Sequence, residues 1–414
     1  MEYKVYKRKY NCNLVEAFKH FQDIGVLEII SCPATHGFLP ILNTVPSAAR
    51  AQIAVGVEMY KKYFGRAPRG MWLSECAYVP ELEPYLREFG IKYVLLETHG
   101  ITYAKPKPLY GTLAPIISPS GLVAFGRDLE SSKQVWSSIC GYPGDPNYRE
   151  FYKDIGYELD WDYIKPYVSK SGHRVDTGIK YHKITGKSQY KEYYNDSNAK
   201  AVAELQADHF INSRITQIEK AAPNMKNPPI ITCPYDAELY GHWWYEGPYW
   251  LYVLFKKIYY NQNVFKLITP SEYLEKYPGI QQAAPAISTW GAHGYSEVWL
   301  NPGNDYIYRH LDNAAGRLHY LSKTYKEPYD LQRRALNQCA RELLLAQSSD
   351  WPFIITANTM VDYAHKRIRD HIGRFNALAD MIDKNDINEE YLSDIEYKDL
   401  IFPDIDYTIW SWEN

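Results

Sequence analysis

The chain has 414 residues, 46% of them hydrophobic and 23% charged, which is enough apolar content for a large core and ordinary for a soluble globular protein. Net charge is −3, from 46 basic and 49 acidic residues mixed along the chain, so no basic tract points to nucleic acid and no juxtamembrane cluster points to lipid. The longest apolar runs, such as IKYVLL at 91–96, fall well short of the roughly 18 residues of a membrane helix; the basic start MEYKVYKRKYNCN has no apolar region of a signal peptide, and six scattered cysteines without a CxxC pair read as reduced thiols of a cytoplasmic protein.

Residues 1–25 are expected to be helical, because Leu14, Phe18 and Phe21 recur at helical spacing. Residues 26–31 (VLEIIS) read as a buried strand that ends at Cys32-Pro33 and the segment ATHGF. Residues 46–64 form an amphipathic helix. A second strand is expected around 70–76, then a helix over 80–89 stopped by Gly90. Residues 92–98 (KYVLLET) make a third strand, followed by His99, and 122–126 (LVAFG) a fourth, followed by Asp128. This alternation predicts a parallel α/β barrel-like domain, in which strand C-terminal ends collect the active site. His36, Glu75, His99 and Asp128 all stand at such ends. Residues 129–200 break the rhythm with Tyr, Gly, Ser, Lys and Asp and read as an insertion over the barrel mouth. A helix follows over 199–222, and a fifth strand over 229–234 leads to Asp236. From about 305 the chain turns helical: Leu331, Ala335, Cys339, Leu343 and Ala346 share one face, as do Val361, Ala364, Ile368, Ile372, Phe375 and Leu378. The divisions expected are 1–128 (first, catalytic part of the barrel), 129–198 (insertion or lid), 199–304 (second part of the barrel and connection) and 305–414 (C-terminal helical domain).

Two strand-end acids raise a chemical possibility. Glycoside cleavage with retention needs two carboxyl groups about 5 Å apart, one attacking the anomeric carbon and one protonating the leaving oxygen. Glu75, in GMWLSECAY, sits between Trp72, Cys76 and Tyr78 and would be partly desolvated, which tunes reactivity. Asp236, in PYDAELYGHWWYEG, is the second acid. Taken alone, a strand-end acid is more often a cap or an ion-pair partner. The 39 tyrosines and 11 tryptophans fit a saccharide partner, whose C–H faces stack on rings; the abundance of Lys, Tyr, Asn and Ile fits an AT-rich genome equally well.

CPATHGFLP, GMWLSECAY, PYDAELYGHWWYEG and STWGAHGYSEVWLNPGN closely resemble signature segments of glycoside hydrolase family 57, in the same order along the chain. The text RDLESSKQVWSS…GYPGDPNYREFYKDIGYELD and RELLLAQSSDWPF resembles the branching-enzyme branch of that family. The resemblance implies an incomplete parallel (β/α)7-type barrel with an insertion, followed by an all-α C-terminal domain. It implies that Glu75 is the nucleophile and Asp236 the general acid/base. Glu238, on the same face of an extended strand as Asp236, is a second candidate for the acid, with a supporting ion pair as its plainer role. His36, His242, Trp161, Trp290, Trp299, Asp350 and Trp351 match substrate-site positions, although core packing serves any single Trp as well. Tyr142 is a candidate for the loop residue that shields the intermediate. The implied activity is a retaining α-glucan branching enzyme of glycogen metabolism acting on α-1,4-glucan, with no nucleic-acid or membrane partner. An amylase or 4-α-glucanotransferase of the same family, or an inactive glucan-binding remnant, are the alternatives. No cofactor is implied, and with no HExxH-type spacing no metal is expected.

The sequence departs from the family in one respect. The family's first strand carries a signature of the form His-x-His-x-Pro, which is absent here. Five candidate strands are counted, near Ile29, Leu73, Val94, Ala124 and Ile231. The first two strands would then lie before Met1, a deficit of about 60 residues at roughly 30 per strand–helix unit. The expectation is an N-terminally truncated chain, through a late start codon, a natural truncation, or association with a separate N-terminal segment.

Overall fold

Proline starts and glycine stops the long helix expected at 46–64. Pro46 occupies the first turn, where its missing N–H costs nothing, and Gly65 ends the helix in the left-handed region at φ 71°. The structure, a computed structural model, describes residues 4–137, 140–168 and 172–412. In chain order its main elements are α1 (Leu14–Asp23), α2 (Pro46–Phe64), β1 (Gly70–Met71), β2 (Tyr93–Leu96), β3 (Ile116–Ile117), β4 (Val123–Gly126), α3 (Asp196–Ala221), α4 (Gly247–Tyr260), β5 (Gln281–Gln282), α5 (Tyr306–Thr324), α6 (Asp330–Ala346), α7 (Asp350–Ala357), α8 (Val361–Asp383) and α9 (Glu389–Lys398). The chain divides into two units, Met1–Gly126 with Thr269–Asn414, and Arg127–Ile268. The divisions expected at 198 and 304 therefore fall inside the second and first units respectively.

The first unit holds a five-stranded sheet in the order β1-β2-β4-β3-β5. β1, β2 and β4 are parallel, with Gly70 opposite Tyr93 and Tyr93 opposite Val123. β3 runs antiparallel to β4 and parallel to β5. Every residue of β4 is buried, as a strand covered on both faces should be. The strand expected at 26–31 reduces to a single parallel bridge between Ser31 and Met71, because Pro33 soon removes a ladder donor and the chain turns away. The helix expected over 1–25 is two pieces, a π-helical turn at Val5–Lys9 and α1, parted by left-handed Asn11 and Cys12. Asn13 caps α1 by accepting from the N–H groups of Val15 and Glu16. Leu14, Phe18 and Phe21 do lie on this helix, and all three are exposed.

One core runs through this unit. Met71, Leu73, Val94 and Ile116, in and beside the sheet, pack with Ile307, Leu311, Leu336, Leu343, Phe375 and Trp410 of the helical C-terminal region. The apolar faces expected on α6 and α8 are the ones buried: Ala335, Cys339, Leu343, Ile368, Phe375 and Leu378 are all at or near zero exposure. Beneath them Glu342, His371 and Asp399 form a buried polar knot. His371 Nδ1 lies 2.6 Å from Glu342, Gln338 donates to Glu342 at 2.9 Å, and Arg374 pairs with Asp399.

The second unit has its own core. Ala199, Ala203 and Ala207 repeat every fourth residue on α3, and these small side chains let α4 lie close, with Trp250, Val253 and Leu254 against them. Tyr142, Tyr148 and Trp244 complete the cluster. The strand expected at 229–234 is a single parallel bridge between Thr232 and Arg127, with the Asp128 N–H donating to the Thr232 carbonyl at 2.8 Å. Among the described residues, no helix is long and apolar enough to cross a membrane.

Candidate active site

Three segments far apart in sequence converge on Glu75. The first is the loop after Ser31, which α2 holds from beneath. Ser31 Oγ donates to the Gly56 carbonyl at 3.1 Å, the Ala34 N–H donates to the Gln52 carbonyl at 2.8 Å, and the Gln52 side chain brackets Thr35 through both its oxygen and its nitrogen. Gly56 is required here, because a Cβ would stand 2.2 Å from the Cys32 carbonyl oxygen. Thr35 also donates to the Leu344 carbonyl in α6. The loop ends on His36, held in the left-handed region at φ 56°.

The second segment is GMWLSECAY. β1 stops at Met71, and the chain folds into a short 3-10 turn over Ser74–Cys76. Glu75 (φ 64°) and Cys76 (φ 51°) are both left-handed. Non-glycine residues there cost on the order of 1–3 kcal/mol each, and such strain persists only where surroundings over-determine it. They do so here: Leu73, Ser74, Cys76, Ala77 and Tyr78 are all buried, and Tyr78 pairs with Ser288 through both backbone groups. The kink turns Glu75 out of the strand direction and leaves its side chain 14% exposed.

The third segment is 288–290 together with the start of α7. Trp290 binds Glu75 twice: its backbone N–H donates to the Glu75 carbonyl at 3.1 Å, and its indole Nε1–H donates to Oε2 at 2.8 Å. Ser349 Oγ donates to Oε1 at 2.9 Å. His36 Nδ1 lies 3.7 Å from Oε1 and 2.8 Å from Ser349 Oγ. Trp72 meets Trp290 edge to face at 4.9 Å. The carboxylate thus has a donor on each oxygen, an imidazole beside it and the Trp290 indole against it, with Trp72 packed on that ring, which is an arrangement that fixes a carboxylate in one orientation.

The remaining sequence candidates fall in varied places. Asp350 follows Ser349; it is exposed and its carboxylate accepts from Ser348 Oγ at 3.1 Å. Trp351 points its Nε1–H inward to the Leu345 carbonyl at 2.8 Å and packs on Tyr363. Trp299, expected at the substrate site, is 1% exposed; it stacks on Phe38 at 4.7 Å and packs with Trp290. His99 is used structurally, with Nε2 at 2.8 Å from the Gly294 carbonyl. Ser349 was not singled out in the sequence, although the neighbouring Asp350-Trp351 pair was.

Asp236, His242 and Trp161 belong to the second unit. Tyr235 and Cys233 anchor the segment before Asp236: Tyr235 OH donates to the Ser131 carbonyl at 3.0 Å, and burial pushes the Cys233 thiol up to about 11. Asp236 is extended (φ −67°, ψ 139°) and partly exposed, and it opens a 3-10 turn over Ala237–Leu239. That turn corrects the expectation for Glu238. Three residues per turn rotate it off the face of Asp236, where an extended strand would have aligned the two. His242 is exposed and edge-on to Phe151, on which Trp243 stacks at 4.3 Å, while Trp244 is buried. Trp161 is half-buried under the Arg174 guanidinium, 5.3 Å from its ring. Tyr142 is buried against Trp250 with its hydroxyl 2.7 Å from His209, so it belongs to the core of its unit. Asp128 is a helix cap, accepting from the Ser131 N–H at 2.8 Å and from Gln217 at 2.6 Å.

Comparison with known proteins places this geometry in a family. The profile of glycosyl hydrolase family 57 matches residues 2–206, and that of the 1,4-alpha-glucan branching enzyme C-terminal domain matches 310–410. The crystal structure of the alpha-amylase AmyC from Thermotoga maritima superposes with a TM-score of 0.92 at 44% identity, covering 99% of this chain and 77% of that one. The family 57 branching enzyme TK1436 of Thermococcus kodakarensis is 32% identical across 96% of this chain and 61% of its own length, and its crystal structure gives a TM-score of 0.88. The family 57-type branching enzyme of Pyrococcus horikoshii gives 0.87 at 33% identity, covering 99% of this chain and 76% of its own. The chain spans about three fifths of the length of the curated relatives it matches. With a matching profile, long-range matches above 30% identity and a shared fold, the chain belongs to glycoside hydrolase family 57.

Proposed function

We propose that the chain is a retaining α-glucan branching enzyme, with Glu75 as nucleophile and Asp236 as general acid/base. The observation that carries this is the environment of Glu75: a kinked, mostly shielded carboxylate with an indole N–H on one oxygen and a hydroxyl on the other. Glu75 attacks C1 of an α-1,4-linked glucose while Asp236 protonates the departing oxygen. Asp236 then takes the proton of an acceptor 6-hydroxyl as that oxygen attacks C1 and Glu75 departs, forming an α-1,6 link. His36 and Trp290, beside Glu75, are proposed to bind the sugar at the reacting bond. Trp161, His242, Asp350 and Trp351 are proposed to bind flanking glucose units, with Trp299 backing Trp290. The names of the relatives from Thermococcus and Pyrococcus support branching as the outcome.

A second reading is hydrolysis, with water as acceptor. The relative of higher identity among the solved structures, from Thermotoga maritima, is described as an α-amylase. We also place the chain in α-glucan metabolism in a reducing cytoplasm, a proposal supported by the scatter of the six cysteines, which include no CxxC pair.

Incubation of the purified chain with amylose, followed by proton NMR of the anomeric region and a reducing-end assay, separates these outcomes. Branching raises the α-1,6 signal with few new reducing ends; hydrolysis releases reducing ends and no α-1,6 signal. Glu75→Gln is expected to abolish either reaction. Turnover by Glu75→Gln at the wild-type rate removes Glu75 from its proposed role.

A further inference from the structure

We infer that Ser349 is a positioning residue for Glu75, a hydroxyl relay that fixes the carboxylate and ties its orientation to His36. The inference rests on the proposal that Glu75 is the nucleophile. Ser349 is 1% exposed, and its hydroxyl lies 2.9 Å from Glu75 Oε1 and 2.8 Å from His36 Nδ1. A serine hydroxyl has one proton, and an ionised carboxylate can only accept. The proton of Ser349 therefore goes to Glu75, and His36 must carry a proton on Nδ1 and donate it to Ser349 Oγ. The opposite polarity would leave an oxygen lone pair facing the carboxylate at 2.9 Å. Ionised Glu75 thus selects one polarity for the whole chain of bonds, from Nδ1–H to Oγ–H to Oε1.

The backbone keeps the relay in register. The Ser349 N–H donates to the His36 carbonyl at 3.0 Å, and Ser348 bridges Gly37 beside it. Among the described residues, the groups that face Glu75 come from three segments. From the loop above α2 comes His36, at 3.7 Å; from segment 288–290 comes the uncharged Trp290 indole; from the start of α7 comes Ser349, whose neighbour Asp350 turns its carboxylate to Ser348. Two donors, Ser349 and Trp290, therefore stabilise the charge on Glu75 whenever it is free. In the proposed mechanism the charge is lost when the glycosyl ester forms and returns when Glu75 departs. Ser349 then favours the second step, in which Glu75 is the leaving group.

The test uses the full chain with 15N-labelled tryptophan. The Trp290 indole N–H resonance reports protonation of Glu75, and Glu75→Gln should remove its pH titration, which assigns the signal. Ser349→Ala should move the titration midpoint upward by about one pH unit, the tenfold effect of one hydrogen bond to a charged group. On amylose, kcat should fall about tenfold and by more than kcat/KM, because the second step slows. Ser349→Thr, which restores the hydroxyl, should return both toward wild type. An unmoved midpoint in Ser349→Ala overturns the inference even if activity drops, since a purely structural role predicts that result. If Glu75→Gln stays active, the nucleophile assignment fails by itself, and the midpoint still decides whether Ser349 holds the carboxylate.

Discussion

At the scale of single residues, the site is assembled by hydrogen bonds that no local pattern encodes. Ser349 and Glu75 are 274 positions apart, and Trp290 and Glu75 are 215 apart. Serine is common and its spacing from anything near Glu75 is unremarked in the sequence, so its part was invisible before folding. Glu75 itself was legible, because an acid among buried neighbours is costly and needs a reason. Its left-handed φ was not, since nothing in SEC requires it. The indole of Trp290 offers a clean probe. Trp290→Phe keeps a ring against Trp72 and removes the N–H that serves Oε2. The bond is charge-assisted, about 1.5–3 kcal/mol, so kcat on amylose should fall roughly ten- to hundredfold. The melting temperature should change little. A loss of less than twofold in steady-state kcat would mean that the indole contributes shape alone.

At the scale of elements, the helices were the readable part. α2, α6 and α8 bury the faces that their periodicity marks, and α2 begins and ends where Pro46 and Gly65 place it. Strands were less readable: β1, β3 and β5 have two residues each, too short for any period, and the expected strands at 26–31 and 229–234 survive as single bridges. Two predictions belong here. Gly56→Ala inserts a Cβ at 2.2 Å from the Cys32 carbonyl, between α2 and the loop that carries His36. It should destabilise by about 1–3 kcal/mol or more, seen as a lower urea midpoint; an unchanged midpoint would mean that the loop can move aside freely. The knot joining α6 to α8 gives a pH dependence. Burial pushes the Glu342 carboxyl upward, while its bond to His371 pulls it down. A carboxyl raised in the folded state contributes stability that is full below its unfolded value, about 4.3, and is lost as pH rises through the folded value. His371→Ala removes the group that favours the carboxylate, so the folded value climbs and the loss deepens. The variant should be about 3–5 kcal/mol less stable than wild type at pH 8, with a smaller deficit at pH 5. A deficit independent of pH would assign the damage to the cavity rather than to the charge.

At the scale of the whole molecule, the sequence pointed to a break near 128, where the strand–helix rhythm stops, and the structure divides the chain after Gly126. The return point at Thr269 left no comparable mark, because α4, which precedes it, carries an apolar face like those of the helices of the other unit. What distinguishes them is which core they fill, and that is a property of contacts between distant residues. The core of Arg127–Ile268 draws its buried members from that span alone, with Trp244 and Trp250 at or near zero exposure. Its length lies in the usual range of a domain, about 50–250 residues, and its centre is a helix pair packed through alanines, which is a local and self-sufficient arrangement. Residues 127–268 produced alone should therefore fold: helical by far-UV circular dichroism, with a near-UV signal from buried tryptophans that is lost in one cooperative transition on heating. In the intact chain the same transition should be separable by calorimetry from that of the first unit. The excised piece contains Asp236 and lacks Glu75, so it should show no turnover of amylose at any concentration. An excised piece without near-UV signal or cooperative melting would mean that its core forms only when the rest of the chain is present.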